Sequence, residues 1–166
     1  ILHGEVQDDM NDKELRLAFD FDGVIADDSS EKYLKEKKEN LQAYMQHEKE
    51  YSNSPLAKGP IANLLQKISF FQKLEKRKER HDNSYKRMLY TSIVTARNAP
   101  AHERVVTTLK SMDIEVDEVF FLGGINKNNI LKILKPHIFF DDQMPNLSEL
   151  DVPAVHIPFG IRNTNE

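Results

Sequence analysis

The sequence predicts an α/β protein with a doubly wound, Rossmann-like parallel sheet of about five strands and a small helical cap insertion. Two observations predict this class. Short apolar runs recur along the chain, and stretches with apolar residues at helical spacing lie between most of them. The length of 166 residues fits one globular domain, and a hydrophobic content of 39% suffices for a buried core.

Five short apolar runs are predicted to form buried parallel strands. The first run, at residues 15–21, ends in acidic residues, which is typical of a strand that finishes at a functional loop. The other four have the same apolar character and lie at 88–94, 116–122, 137–140 and 154–157. Ligands of such sheets bind at the carboxyl ends of the strands, so the residues that follow these runs are the first candidates for a functional site.

Three stretches between these runs are predicted to be helices. Apolar residues repeat at intervals of three or four within 61–71, 105–112 and 130–134. Pro100 stands where the second helix could begin, and Pro136 would stop the third.

The remaining segments divide the chain. Residues 1–14 are polar and predict a loose lead-in, so the predicted catalytic domain spans 15–166. Within it, 29–58 is rich in Glu and Lys with only a thin apolar stripe, and we expect a small helical insertion over the site. The charged run 73–81 indicates a solvated helix end plus loop.

The composition excludes several classes of function. A formal charge of -4 gives no global positive field that would attract nucleic acid or an anionic membrane. The absence of cysteine removes disulfides, thiolate zinc sites and cysteine nucleophiles. No apolar run approaches the roughly 18 residues of a membrane span. We expect a cytoplasmic protein with a small-molecule partner, and the sequence leaves open whether it forms a homo-oligomer.

Two carboxylates follow the first strand. Asp20 and Asp22 lie two residues apart, so a regular strand would point both to one face. Their repulsion in a partly buried site requires a shared proton or a cation, and a hard ion such as Mg²⁺ is the natural remedy. Gly23 allows the tight turn that follows. Acidic turns are common, so this motif alone is a weak signal.

A second acidic pair, Asp141 and Asp142, ends the predicted strand 137–140. If the two strands are neighbours in a parallel sheet, four carboxylates surround one crevice. Two separate surface turns are the alternative, but four acids at two apolar strand ends are costly without an ion to coordinate.

Phosphoryl transfer also requires donors and positive charge around the moving group. Thr95 ends the strand 88–94, and its hydroxyl can donate to a phosphate oxygen. Lys127 follows a glycine-containing loop, 123–126, and opens the third helix. Taken alone, Thr95 is more typical of a turn or cap residue, and Lys127 of a solvated surface residue.

The order of these motifs resembles the four-motif pattern of the haloacid dehalogenase-like superfamily. Longer phrases are similar to the cytosolic 5′-nucleotidase type I family, whose members dephosphorylate nucleoside monophosphates with Mg²⁺. The resemblance covers about residues 15–144. Its phrases are Lys-Gly-Pro at 58–60, Val-Thr-Ala-Arg at 94–97, the segment 117–127 and, most distinctively, His-Ile-Phe-Phe-Asp-Asp-Gln-Met at 137–144.

The resemblance implies a role for each motif residue in catalysis. Asp20 would attack phosphorus and form an aspartyl-phosphate. Asp22 would protonate the leaving ribose oxygen and then activate the hydrolytic water. The substrate would be held by Thr95, Ala96, Arg97 and Lys127.

The resemblance also implies a Mg²⁺ site. Asp141 would bind the ion together with Asp20 and the backbone carbonyl of Asp22, and Asp142 would bind it directly or through water. Where the family has glycine between the first two aspartates, this chain has Phe21, and where it has alanine after the second, this chain has Gly23.

Several residues keep two interpretations. Arg97 either contacts substrate or pairs with a carboxylate. Asp28 and Glu31 have the spacing of a capping box, with a substrate-facing role as the alternative. His137 and His156 are expected to be satisfied core or edge histidines.

The sequence therefore predicts a Mg²⁺-dependent 5′-nucleotidase acting on an AMP-like nucleoside monophosphate. A phosphatase for another small phosphomonoester is the first alternative, because the motifs contact only phosphate and metal. A non-catalytic accessory module that keeps the fold is the second. A nucleic-acid end phosphatase is opposed by the acidic balance of the chain.

Overall fold

A computed structural model describes residues 9–148 and 150–164 and contains one five-stranded sheet. The strand order is β3-β2-β1-β4-β5, and every neighbouring pair is parallel. The predicted doubly wound α/β fold is confirmed. The strands are β1 Leu15–Phe19, β2 Leu89–Thr95, β3 Glu118–Phe121, β4 Ile138–Asp141 and β5 Ala154–His156.

Six helices connect and cover these strands in the described part of the chain. All three predicted helices are present as α3, α4 and α5, whereas the short α6 was not predicted. The helices are α1 Ser29–Glu36, α2 Leu41–Glu50, α3 Ala62–His81, α4 His102–Ser111, α5 Asn128–Leu134 and α6 Met144–Leu147.

Helix α3 is longer than the sequence predicts. The expected loop within residues 73–81 is wrong, since the helix continues to His81. Lys, Glu and Arg are good helix formers, so a charged segment can extend a helix that begins on the core. Lys73 also contacts Asp113 Oδ1 at 2.6 Å, which holds this part of the helix against the turn after α4.

The central strand β1 is buried on both faces because its side chains alternate between two cores. Phe19 belongs to the larger core, with Ile93 and Val105. Ala18 belongs to the second core, with Phe139. The run 15–21 is therefore apolar because both faces of β1 pack against a hydrophobic core.

The strand register brings the predicted motifs to one edge. Phe19 of β1 pairs with Ile93 of β2 and with Phe140 of β4. The next residue, Asp20, donates its backbone N–H to the carbonyl of Phe140 at 2.7 Å. Residues that follow β1 and β4 thus lie side by side, and the end of β2 flanks them.

Helices α1 and α2 lie between β1 and α3 in the sequence, and the two helices pack against each other. The prediction that 29–58 is a separate insertion over the site remains a prediction. Residues 1–8 of the predicted lead-in lie outside the described residues.

The capping-box interpretation of Asp28 and Glu31 is wrong. Asp28 occupies the N-cap position of α1 but makes no side-chain capping hydrogen bond within the described chain. Its Oδ2 instead accepts the backbone N–H of Ile161 at 2.7 Å, and Lys32 lies 3.0 Å from its Oδ1. Asp28 therefore ties α1 to the segment after β5.

Among residues 9–148 and 150–164, no helix combines the length and the apolar character that crossing a membrane requires.

Candidate active site

Three buried carboxylates meet where β1 and β4 end. Asp20, Asp141 and Asp142 each offer an oxygen, and these oxygens lie within 4.8 Å of one another. Asp20 follows the last residue of β1, and Asp141 is the last residue of β4. Because neighbouring parallel strands end at the same edge, the sheet itself creates this concentration of negative charge.

Lys127 partly neutralises the cluster. Its Nζ lies 2.8 Å from Asp20 Oδ2 and 2.7 Å from Asp141 Oδ2. Burial raises the pKa of Asp20 to about 7, although Lys127 opposes that shift. The pKa of Lys127 is itself raised, since the attraction of both carboxylates outweighs the effect of burial. One ammonium therefore contacts two of the three buried acids.

Asp142 has both carboxylate oxygens buried, and neither has a hydrogen-bond partner among the residues that the structure describes. Burial raises its pKa to about 8, and the charge of Glu31 adds to the effect. A buried carboxylate without donors is costly unless a cation takes its lone pairs. A hard divalent cation therefore fits this donor set.

Gly23 allows Asp142 to approach the turn after β1. Its φ is +70°, and a Cβ at this position would lie 2.5 Å from Asp142 Oδ2. A side chain here would be strained by the backbone and would collide with the carboxylate. The glycine that the chain has in place of the family's alanine thus avoids strain in this local geometry.

Asp141 is held by donors as well as by Lys127. Its Oδ1 accepts the backbone N–H of Gln143 at 2.8 Å, and Asn146 Nδ2 lies 3.2 Å from each of its oxygens. Sequence reasoning missed Asn146. The signal was available, because an Asn five residues after an acidic strand end can return to it on a short helix such as α6.

The side chain of Asp22 pairs with Arg97, whereas its spacing suggested that it would share one face of the strand with Asp20. Strand β1 ends at Phe19, so Asp20 and Asp22 lie in the following turn and do not alternate as strand residues would. The Asp22 carboxylate accepts two hydrogen bonds from Arg97, Nε to Oδ2 and Nη2 to Oδ1, both 2.7 Å. Its side chain lies outside the three-carboxylate group, and the role of its carbonyl stays a prediction. Arg97 therefore makes the pair with a carboxylate that was one of its two interpretations.

Asp20 connects the cluster to a cavity of about 620 Å³. Its polar side includes the end of β2, where Thr95 Oγ1 accepts the backbone N–H of Arg97 at 3.3 Å. Asp141 and Asp142 are fully buried and are not part of the lining. The six predicted site residues that line the cavity are Asp20, Asp22, Thr95, Ala96, Arg97 and Lys127.

Helices α1 and α2 supply an apolar wall to the same cavity. Its members, which form the thin apolar stripe of the segment 29–58, are Leu34, Leu41, Tyr44 and Met45. The function of this stripe could not be read from its spacing, because a stripe of that kind also serves simple helix packing.

Glu31 and Arg162 complete the rim of the cavity. Glu31 Oε1 accepts from Gln143 Nε2 at 2.9 Å and lies 3.5 Å from Arg162 Nε. Burial raises the pKa of Glu31 to about 7, and the charge of Asp22 adds to the shift. Arg162 gave no sequence signal, since it follows the last strand in an irregular segment.

The two histidines are satisfied by local partners, as expected. His137 Nδ1 accepts the backbone N–H of Arg16 at 3.0 Å. His156 Nε2 lies 2.9 Å from both the carbonyl of Asp142 and Asn163 Oδ1.

The described sheet is parallel and carries paired acids where β1 and β4 end, a threonine at the end of β2 and a lysine before α5. This combination defines the haloacid dehalogenase-like class. Comparison with known proteins narrows this class. The family model described as 5′-nucleotidase matches residues 1–164, and the chain therefore belongs to the 5′-nucleotidase family.

A human protein, cytosolic 5′-nucleotidase 1B, is 37% identical to the chain over 134 residues. The match covers 80% of this chain and 21% of the human protein, so the chain spans about a fifth of that relative. No solved structure matches the chain significantly.

Proposed function

We propose that the chain hydrolyses AMP-like nucleoside 5′-monophosphates to nucleoside and phosphate through an aspartyl-phosphate on Asp20. The observation that carries this proposal is one juxtaposition at the edge of the sheet. Asp20 borders the cavity, contacts Lys127, and adjoins two fully buried carboxylates that suit a divalent cation. Membership in the 5′-nucleotidase family supports the same conclusion.

In the first step an oxygen of Asp20 attacks phosphorus. The bond between phosphorus and the ribose 5′-oxygen breaks, and that oxygen takes a proton from Asp22, which enters this step as the neutral carboxylic acid. In the second step Asp22 takes a proton from water, the water oxygen attacks phosphorus, and the Asp20 carboxylate is released. Lys127 and Thr95 hold the equatorial oxygens while their charge redistributes.

The carboxylates of Asp20, Asp141 and Asp142 would hold Mg²⁺, with the carbonyl of Asp22 as a further predicted ligand. The donor set consists of oxygens alone, which suits Mg²⁺ better than a softer metal. When bound, the ion supplies positive charge that offsets the repulsion between phosphate and the acidic cluster.

The apolar wall supports a nucleoside as the group attached to phosphate. A cavity of about 620 Å³ is within the usual range for a small-molecule site. Tyr44 and Leu41 lie on its lining with the phosphate-handling residues, and an aromatic or aliphatic surface suits the faces of a purine. A wall of this kind gives no advantage to a small, wholly polar phosphomonoester.

The human relative is named as cytosolic, and we propose the same location for this chain. The expectations that it binds neither nucleic acid nor membrane, and the open question of a homo-oligomer, stay predictions.

Phosphate release from a panel of substrates tests the proposed function. We expect turnover of AMP and other nucleoside monophosphates with Mg²⁺, and none after chelation. Faster turnover of small sugar phosphates than of any nucleotide would favour the alternative phosphatase. Absence of turnover on every substrate, in protein shown to be folded, would favour the accessory module.

A further inference from the structure

A buried line of alternating charges runs from Asp22 into the helices α2 and α4. Its order is Asp22, Arg97, Glu48 and Arg104, which are two acids and two bases. Glu48 of α2 is fully buried, and Arg97 is 4% exposed. Buried charges of this kind persist only when each is paired.

Arg97 is held at both ends of its guanidinium. One edge makes the two hydrogen bonds to Asp22 described above. On the other edge, Nη1 contacts Glu48 Oε2, with the carbonyl of Ala101 a long 3.4 Å away. The rings of Phe21 and Tyr44 flank the group, with centroids 5.3 and 6.0 Å from its central carbon. Glu48 is therefore the one carboxylate that fixes this second edge among the described residues.

Glu48 gathers donors from three elements. Its Oε1 accepts from Arg104 Nη1 of α4 and from Ser30 Oγ of α1, both at 2.9 Å, and lies 3.1 Å from His47 Nδ1. Burial alone would raise its pKa, but Arg97 and Arg104 prevail and the pKa of Glu48 is lowered. Its carboxylate thus stays charged and oriented beneath the cavity.

We propose that Glu48 is a positioning residue for the reaction: it orients Arg97, which presents the carboxyl group of Asp22 to the leaving oxygen. This inference rests on the proposed function of Asp22 as proton donor. Asp22 borders the cavity, and its orientation is set by a planar fork that grips both of its oxygens. A fork anchored on one edge only can rotate and carry Asp22 away from the substrate.

A simpler role for Glu48 is to tether α1 and α2 to the rest of the fold. The two roles predict different losses of activity on the two substrates when Glu48 is replaced. Protonation by Asp22 matters for the alkoxide of a nucleoside and not for p-nitrophenolate, which leaves without a proton. A tether that merely holds the fold affects both substrates alike, and one that only positions the apolar wall of α1 and α2 raises the KM for AMP without lowering kcat.

The test compares kcat/KM for AMP and for p-nitrophenyl phosphate in the full chain with Mg²⁺. This parameter covers the steps through formation of the aspartyl-phosphate, where the leaving group departs. For Glu48→Gln we expect a loss of about 10- to 100-fold with AMP, the scale of a misplaced catalytic group, and less than about 3-fold with p-nitrophenyl phosphate. Equal losses on the two substrates, or a loss with AMP that lies in KM alone, would overturn the proposal.

Arg104→Met is the matched control. It removes the other cationic partner of Glu48 and leaves the contact between Glu48 and Arg97 in place. We expect Arg104→Met to lower thermal stability without changing the ratio of the two kcat/KM values. A ratio that changes as much as in Glu48→Gln would also overturn the proposal.

Glu48→Asp provides a second variant if Glu48→Gln does not fold. It keeps the buried charge but shortens the side chain by one methylene, so its carboxylate no longer reaches Arg97 in the same place. The proposal predicts the same selective loss with AMP, and an unchanged ratio contradicts it. If the wild-type protein hydrolyses neither substrate, the proposed function itself is refuted. This outcome differs from a failure of the Glu48 proposal, in which the wild-type protein is active.

Discussion

Two acidic residues at opposite edges of the sheet have opposite surroundings. Asp142 follows β4 and has no hydrogen-bond donor for either carboxylate oxygen within the described chain. Asp117 precedes β3, and its Oδ2 accepts from Gln72 Nε2 at 2.6 Å and from the backbone N–H of Thr91 at 3.0 Å. Its Oδ1 accepts from Arg87 Nη1 at 2.8 Å.

The comparison separates an acid whose oxygens are taken by donors of the fold from an acid whose oxygens accept no hydrogen bond in the described chain. The lone pairs of Asp117 are taken by protein donors, so this residue joins α3, β2 and β3 at the amino edge of the sheet. The lone pairs of Asp142 remain available beside Asp20 and Asp141, where a cation can use them. Changes at the two edges should therefore affect activity and stability separately.

The largest expected effect is on catalysis at the carboxyl edge. Asp20→Asn removes the nucleophile and one metal ligand, and phosphate release from AMP should fall by at least about 10³-fold. Circular dichroism should show an unchanged fold, because the amide keeps the size of the side chain. Retained turnover in a folded variant would show that Asp20 is not the nucleophile.

The second effect concerns binding of the ion. Wild-type protein should gain about 2.7 kcal/mol of stability in Mg²⁺ at 100 times the dissociation constant. In Asp142→Asn, a 100-fold weaker affinity would leave a gain of about 0.4 kcal/mol at the same concentration. Denaturant unfolding with and without Mg²⁺ measures both values, and equal gains would remove Asp142 from the site.

The third effect is on stability at the amino edge. Asp117→Asn places an amide group against donors that now have a carboxylate, and the free energy of unfolding should fall by about 2 kcal/mol. Phosphate release per folded molecule should stay at the wild-type level, since Asp117 does not border the cavity of the active site. Loss of activity without loss of stability would contradict the separation of the two edges.

A fourth effect is the pH dependence of stability without metal. The pKa of Asp142 is raised to about 8 and that of Glu31 to about 7, so the folded state binds protons more tightly than the unfolded chain. The free energy of unfolding should therefore decline as the pH rises from about 4 to about 8. Excess Mg²⁺ should weaken this decline, and unfolding curves across the pH range provide the measurement. If the free energy of unfolding without metal increases over this range, the raised pKa values of Asp142 and Glu31 are contradicted.

The sequence predicted the sheet and the motif positions because both depend on local patterns. Apolar runs marked all five strands, and the sequence predicted that Asp20 and Asp141 would meet if their strands were neighbours, which the pairing of β1 with β4 confirms. The extent of β1 was overestimated by two residues, since an apolar Phe21 after the strand continues the pattern while packing in the core.

The rest depends on contacts between distant segments. Arg97 reaches Asp22 across 75 positions, and Glu48 reaches Arg104 across 56. Either arginine could pair with many carboxylates in a chain with 27 acidic residues, so spacing alone could not select the partner. The unpartnered oxygens of Asp142 are likewise a property of packing that no local pattern reports.

The most direct test of the central claim is mass spectrometry of the chain quenched with acid during turnover of AMP and Mg²⁺. The account predicts a phosphoryl group on the peptide that contains Asp20, and its absence in Asp20→Asn. Turnover with the phosphoryl group on another residue, or rapid turnover with no phosphorylated peptide at any quench time, would contradict it.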